Sequence, residues 1–323
     1  MKRTPAWAWA AIALMLVLVF NAVFTPGFLE ITVRDGRLYG SLIDILNRAA
    51  PVGLLALGMT LVIATGGIDL SVGAVMAIAG TVAANAVSKG GTLAQAVGPA
   101  LLAGAFSGSL NGFLVAVLEF QPIVATLLLM VTGRGIAQLL ANGQIVTFND
   151  PSFAEIGRGA FAGVPNAAWI LAIFFLVFAG LTRLTGIGLL LESTGSNSAA
   201  AKYVGINTKA LKSLVYTLSG LCAAVAGLII TADIQAADAN NAGLYLELDA
   251  ILAVSVGGTA LAGGRFSLAG SIIGALLMQA LTTTILTRGV SPEATLVVKA
   301  AIIIAVCLMQ VSSGNLRLGR AKA

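Results

Sequence analysis

Most of this chain is parcelled into apolar runs about as long as a helix that crosses a bilayer. Such a helix needs about 20 mainly apolar residues. Ten runs approach or meet that length: 6–24, 42–65, 70–88, 93–118, 122–141, 166–184, 213–232, 248–262, 267–287 and 293–311. Only 10% of the 323 residues are charged, against about 25% in a soluble domain. A water-soluble fold could not cover its surface at that composition, whereas lipid accepts apolar side chains. The expected fold is therefore an all-α polytopic membrane protein of about ten transmembrane helices, forming one domain over 1–323. The first run follows Lys2 and Arg3, exceeds a signal-peptide core in length and precedes no small-residue cleavage pattern; it reads as a retained span.

An even number of spans puts both ends on one side. The loops on that side hold Lys2, Arg3, Arg183, Lys202, Lys209, Lys212, Arg265, Arg317, Arg320 and Lys322, against Arg34, Arg37, Lys89, Arg158 and Arg288 opposite. Ten against five predicts cytoplasmic termini, because basic loops stay inside. Asp233, Asp238 and Glu247 then share one outer loop. The net charge of +5 belongs to this bilayer pattern and forms no nucleic-acid-binding patch.

Residues for covalent chemistry are missing. The chain has no histidine, and its two cysteines, Cys222 and Cys307, lie inside apolar runs without metal-ligand spacing. No Gly-rich phosphate loop ending in Gly-Lys-Ser/Thr occurs. The chain is expected to be no enzyme, with no catalytic residue, metal or cofactor of its own. If ATP drives it, another chain hydrolyses the ATP.

Two segments interrupt the runs with glycine. One is Thr65 to Gly73, and the other Val256 to Ser267. Gly66, Gly67 and Gly73 lie 197 positions before Gly263, Gly264 and Gly270. This suggests an internal repeat, with units of roughly 42–141 and 213–311 and two pseudo-symmetric halves containing broken helices. Glycine-interrupted spans in corresponding halves point to a transport pathway, since irregular backbone survives at membrane depth only against protein or water. Asp69, Asn111, Thr126, Arg134, Gln138, Asp249, Gln279 and Lys299 are polar residues in or beside spans and should face protein or water. The expected pathway residues are Gly66, Gly67, Asp69, Ser71, Asn111, Thr126, Gly257, Gly258 and Thr259. Arg134 and Lys299 read as structural. Gly104, Gly108 and Gly112, four residues apart, predict close helix packing.

The cytoplasmic segment 192–212 should form a helix, a glycine turn and a second helix. Asn197 is suited to cap the first and Gly205 to end it, with Asn207 or Thr208 capping the next. Such a knob is rigid enough to carry force from a soluble partner.

These segments resemble a known family. "GGIDLSVGAVMAIAG" at 66–80, "QPIVATLLLMVTGRGIAQLL" at 121–140, "GSNSAAAKYVGINT" at 195–208 and "LDAILAVSVGGTALAGG" at 248–264 are similar, in order, to the permease subunits of bacterial sugar ABC importers, the ribose-permease family. "GQIVTF" at 143–148 and "ADANNAGLYLELDAILAVSVGG" at 237–258 resemble more narrowly the permeases of galactofuranose importers. The resemblance implies a type II importer-like fold in a bacterial inner membrane. It implies an ATP-binding subunit that uses ATP and Mg, a periplasmic sugar-binding protein and a second permease, identical or paralogous. It also implies that Glu192, Gly195, Asn197, Ala200, Ala201, Lys202 and Gly205 belong to the loop that couples to the ATPase. The alternative reading is a stand-alone ion-coupled carrier or channel, for which Asp69 and Asp249 are the available acidic core groups.

Overall fold

A computed structural model describes residues 7–34, 36–291, 294, 296–301 and 304. In chain order it contains α1 (Trp7–Phe24), a hairpin of β1 (Thr32–Arg34) and β2 (Arg37–Tyr39), α2 (Ser41–Ala64), α3 (Val72–Ser88), α4 (Leu93–Ala116) and α5 (Pro122–Leu140). Then follow β3 (Val146–Thr147), α6 (Pro151–Arg158), β4 (Ala160–Phe161), β5 (Val164–Pro165), α7 (Asn166–Arg183), α8 (Ile187–Ser196) and α9 (Ser198–Tyr203). The described elements end with α10 (Thr208–Ile234), β6 (Ala236–Ala237), α11 (Leu246–Val256) and α12 (Leu268–Thr287).

Among the described residues seven helices are long and apolar enough to cross a membrane: α1, α2, α4, α5, α7, α10 and α12. α3 is apolar but has 17 residues. The predicted run 248–262 is corrected. α11 has 11 residues, about 16 Å of helix, too short for a hydrocarbon layer about 30 Å thick. It stops at Gly257, and Gly258, Gly263 and Gly264 have φ of 93°, 90° and 92°. Those left-handed conformations turn the chain out of the helix before α12. The tenth predicted run, 293–311, lies mostly outside the described residues.

α2, α3 and α10 form the centre. Every residue of α2 from Ala49 to Ala64 is buried, and α10 packs against α2, α3 and α4. α1 lies at the edge against α12, with Met15, Leu16 and Val23 more than half exposed. Exposed apolar groups on the outside are what lipid as solvent favours.

The glycines of α4 form its seam with α10. A Cβ on Gly108 would overlap the Tyr216 carbonyl oxygen, one on Gly104 would sit 2.6 Å from the Gly220 oxygen, and one on Gly112 2.8 Å from Ser213 Cα. Backbones this close gain their stability from dispersion contacts that any side chain would abolish. Gly108→Val is expected to cost about 2 kcal/mol or more and to lower the melting temperature in detergent. Gly98→Ala in the same helix has open space around it and should melt like the unsubstituted chain. Equal melting of the two variants would refute the seam.

The extramembrane ends are tied locally. At one end of the bundle β3 pairs with β6. Arg134 donates to the Ala239 and Ala242 carbonyls at 3.1 and 2.6 Å, pinning the loop before α11. In that loop the Asn241 side chain, with the Asn240 and Asn241 amides, holds the Asp238 carboxyl below the ordinary carboxylate range. Lys299 pairs with Asp249 at 2.9 Å, so both residues read as structural are engaged with protein. At the opposite end Asn197 Oδ1 accepts from Ala200 N at 2.9 Å, and Asn207 Oδ1 from Ala210 N at 3.0 Å. Gly205 has φ 88°. The segment 192–212 therefore has the expected caps and glycine turn, with two differences. Residues 192–196 belong to α8, and α10 begins at Thr208, before the predicted start at 213.

Candidate functional site

The two glycine breaks lie at one end of the bundle and meet there. α2 ends at Ala64, and Gly66, with φ 80°, turns the chain across the end of the bundle. The following residues are held by three other helices. The Ile68 carbonyl accepts from Thr126 Oγ1 of α5 at 3.3 Å and from Tyr216 Oη of α10 at 3.4 Å. Asp69, 1% exposed, accepts at Oδ1 from Ser71 N (3.1 Å), Ser71 Oγ (2.7 Å) and Asn111 Nδ2 (3.4 Å). Its Oδ2 accepts from Ser219 Oγ at 2.8 Å. Asn111 Nδ2 also donates to Ser71 Oγ at 2.8 Å. The carboxyl is thereby wired to the start of α3, to α4 and to α10. Four donors offset the cost of burying an acidic side chain.

Asp69, Ser71, Asn111 and Thr126 are thus brought together, with Gly67 packed beneath the Tyr216 hydroxyl. In this conformation they form a closed joint. Gly257, Gly258 and Thr259 stand in the other break. Gly257 lies against the Gly270 backbone, and Thr259 Oγ1 accepts from Ser267 N at 3.1 Å. The two breaks touch through Gly66 and Gly263, where a Cβ on Gly263 would lie 3.0 Å from Gly66 N and Cα. Gly264 N donates to the Ala64 carbonyl at 3.0 Å.

The C-terminal end of α8 enters the same contact. A Cβ on Gly195 would overlap the Ala64 oxygen and press on Gly264 N. The end of α8 therefore rests directly on both breaks. Of its other predicted residues, Glu192 lines a cleft with Arg183 and Phe266, and Ala201 is buried. Ala200 receives the Asn197 cap, and Lys202 lies 3.8 Å from Glu119. Tyr203 and Val204, at the tip beside Gly205, are 92% and 77% exposed.

Sequence reasoning missed Tyr216 and Ser219. They lie one helical turn apart on α10 and complete the joint around residues 68–69. Their local signal, two hydroxyls beside Gly220 in an apolar helix, is common to many packed membrane helices. Among the described residues no group of His, Cys, Asp and Glu is arranged to hold a metal ion.

Two broken segments thus meet each other and rest against the first of the helix pair α8 and α9. Residues 41–307 match the family described as the permease component of the branched-chain amino acid transport system. The chain belongs to that permease family. It is 53% identical to the galactofuranose transporter permease YtfT of Escherichia coli K12, over 95% of this chain and 90% of that protein. It is 40% identical to the fructose import permease FruF of Bifidobacterium longum NCC 2705, over 94% and 86%. It is 37% identical to the ribose import permease RbsC of E. coli K12, over 95% of both. In structure the permease resembles an inward-facing ABC transporter of the metal-chelate type, with TM-score 0.50, 17% identity and coverage of 95% of this chain and 99% of that one. That likeness speaks to the fold alone, a bundle of membrane-length helices.

Proposed function

We propose that this permease moves a monosaccharide, galactofuranose or a related simple sugar, across a bacterial inner membrane as the membrane-spanning subunit of an ATP-driven importer. The end-to-end match to permeases named for galactofuranose, fructose and ribose carries this reading, with identity highest to the first of the three. Membership in a permease-component family disfavours the stand-alone carrier.

In the proposed cycle a periplasmic binding protein delivers sugar to the outer face. A partner ATP-binding subunit, using ATP with Mg, grips the cytoplasmic knob. The bare Tyr203 and Val204 side chains at its tip suit such a contact. Movement of α8 and α9 acts on Gly195 and through it on Ala64, Gly66, Gly263 and Gly264. The Asp69 joint is the inner gate, and it parts when the inner end opens. A second permease, identical or paralogous, completes the passage. Both termini are cytoplasmic, in keeping with the ten-to-five distribution of basic residues.

Reconstitution tests this reading. Proteoliposomes carrying the permease, its ATP-binding subunit and the binding protein should accumulate labelled sugar only with ATP. The permease alone should show neither ATP hydrolysis nor submicromolar sugar binding, because affinity resides in the binding protein. Uptake driven by an ion gradient without the ATP-binding subunit would sink it.

A further inference from the structure

At the end of the bundle opposite the glycine joint lies a cleft of about 280 Å³. It is walled by the first turns of α2, the last turns of α10, the second half of α12 and the start of α11. Asn47, Arg48, Asp233, Gln279 and Thr282 give it polar groups, and Pro51, Val52, Ile229 and Leu246 give it an apolar wall. Its volume is just below the ~300–1,000 Å³ of sites that take drug-sized ligands, in keeping with a smaller one.

We propose that this cleft is the station where the translocating sugar first sits on the permease, with Asn47, Gln279 and Thr282 as its hydrogen-bonding residues. The proposal rests on the sugar-import reading. Asn47 Oδ1 is buried without a hydrogen-bond partner among the described residues. A buried acceptor left so costs about 1–3 kcal/mol, which a ligand hydroxyl would offset once the Asn47 side chain turned its oxygen into the cleft. Thr282 Oγ1 donates to the Met278 carbonyl at 2.9 Å, which leaves the oxygen able to accept from a ligand. The charged groups are already engaged. Arg48 Nε binds Asp44 at 2.9 Å, and the Arg158 guanidinium donates to the Asp233 carbonyl and lies 3.9 Å from its carboxylate. A cleft whose charges are balanced in advance favours a neutral polyhydroxylated ligand over an ion, and the apolar wall suits the C–H face of a sugar ring.

A neighbouring cleft lies toward the hairpin of β1 and β2. This second cleft, of about 190 Å³, shares Asn47 and Gly157 with the first, and Arg37, Leu38 and Tyr39 of the hairpin line it. Asn47 stands between the two, where a sugar released at the outer face would pass.

The test uses the complete importer in proteoliposomes, with labelled galactose, fructose or ribose, whichever the unsubstituted complex accumulates. Asn47→Ala and Gln279→Ala should each lower uptake about tenfold, equivalent to ~1.4 kcal/mol. ATP hydrolysis stimulated by the binding protein should change less than twofold. Uptake unchanged in both variants, or hydrolysis falling in step with uptake, overturns the assignment while leaving the sugar-import reading intact. No uptake of any of the three sugars by the unsubstituted complex fails the reading itself. Thr282→Cys gives a second measurement. A membrane-impermeant thiol reagent added outside should block its uptake, and ongoing transport should slow that block severalfold. Reaction at the same rate with and without transported sugar also overturns the assignment.

Discussion

Replacing Asp69 with alanine is expected to destabilise the permease by about 3 kcal/mol or more, from the buried donors it leaves without an acceptor. Asp69 accepts four hydrogen bonds, from Ser71 N, Ser71 Oγ, Asn111 and Ser219. Water cannot replace the carboxyl easily, because Asp69, Ser71, Asn111 and Ser219 are each at most 1% exposed. Ser219→Ala removes a single donor and should cost about 1 kcal/mol. In the Asp69→Ala background the same Ser219→Ala change should cost much less, since its partner is already gone. Thermal unfolding in detergent of the two single variants and the double variant measures this coupling. Additive losses, or an Asp69→Ala chain that melts with the unsubstituted one, would show that the cluster does not hold the joint.

Gly195→Val is expected to abolish most transport while leaving the chain inserted. The added side chain would occupy the space of the Ala64 carbonyl and the Gly264 amide, both backbone groups that cannot turn aside. It would push α8 off the two breaks and sever the Gly264 to Ala64 hydrogen bond. Overpacking of this kind costs about 1–3 kcal/mol. Charged to the moving step, each ~1.4 kcal/mol slows transport about tenfold. Gly186, just before α8, has nothing within 4 Å of a built Cβ, so Gly186→Ala should transport normally. The reconstituted complex reports both effects as uptake per unit of inserted permease. A Gly195→Val complex with full uptake would mean that the knob does not act through this contact.

The span pattern and the inner caps were legible because each depends on neighbours in sequence. Transfer of about 20 apolar residues into lipid is a sum over a local window. The caps at Asn197 and Asn207 involve residues three positions apart. The close packing of Gly104, Gly108 and Gly112 was legible for the same reason, since four-residue spacing places them on one face of α4. The short α11 was not, because its apolar residues run on past the point where the glycine turn ends the helix. The Asp69 joint was half legible. A carboxyl in a broken span signals a buried polar site, but its partner Ser219 lies 150 residues away in a helix of ordinary composition.

By itself, then, the amino-acid order determined that the chain is a multi-span helical protein and where its helices break. Tertiary structure decided that the two breaks touch, that Gly195 rests on both, and that Asn47, Gln279 and Thr282 share a cleft at the other end of the bundle. The physical reason is that solvent transfer and capping act over a few residues. Which backbone can approach which is settled only once helices far apart in sequence have packed.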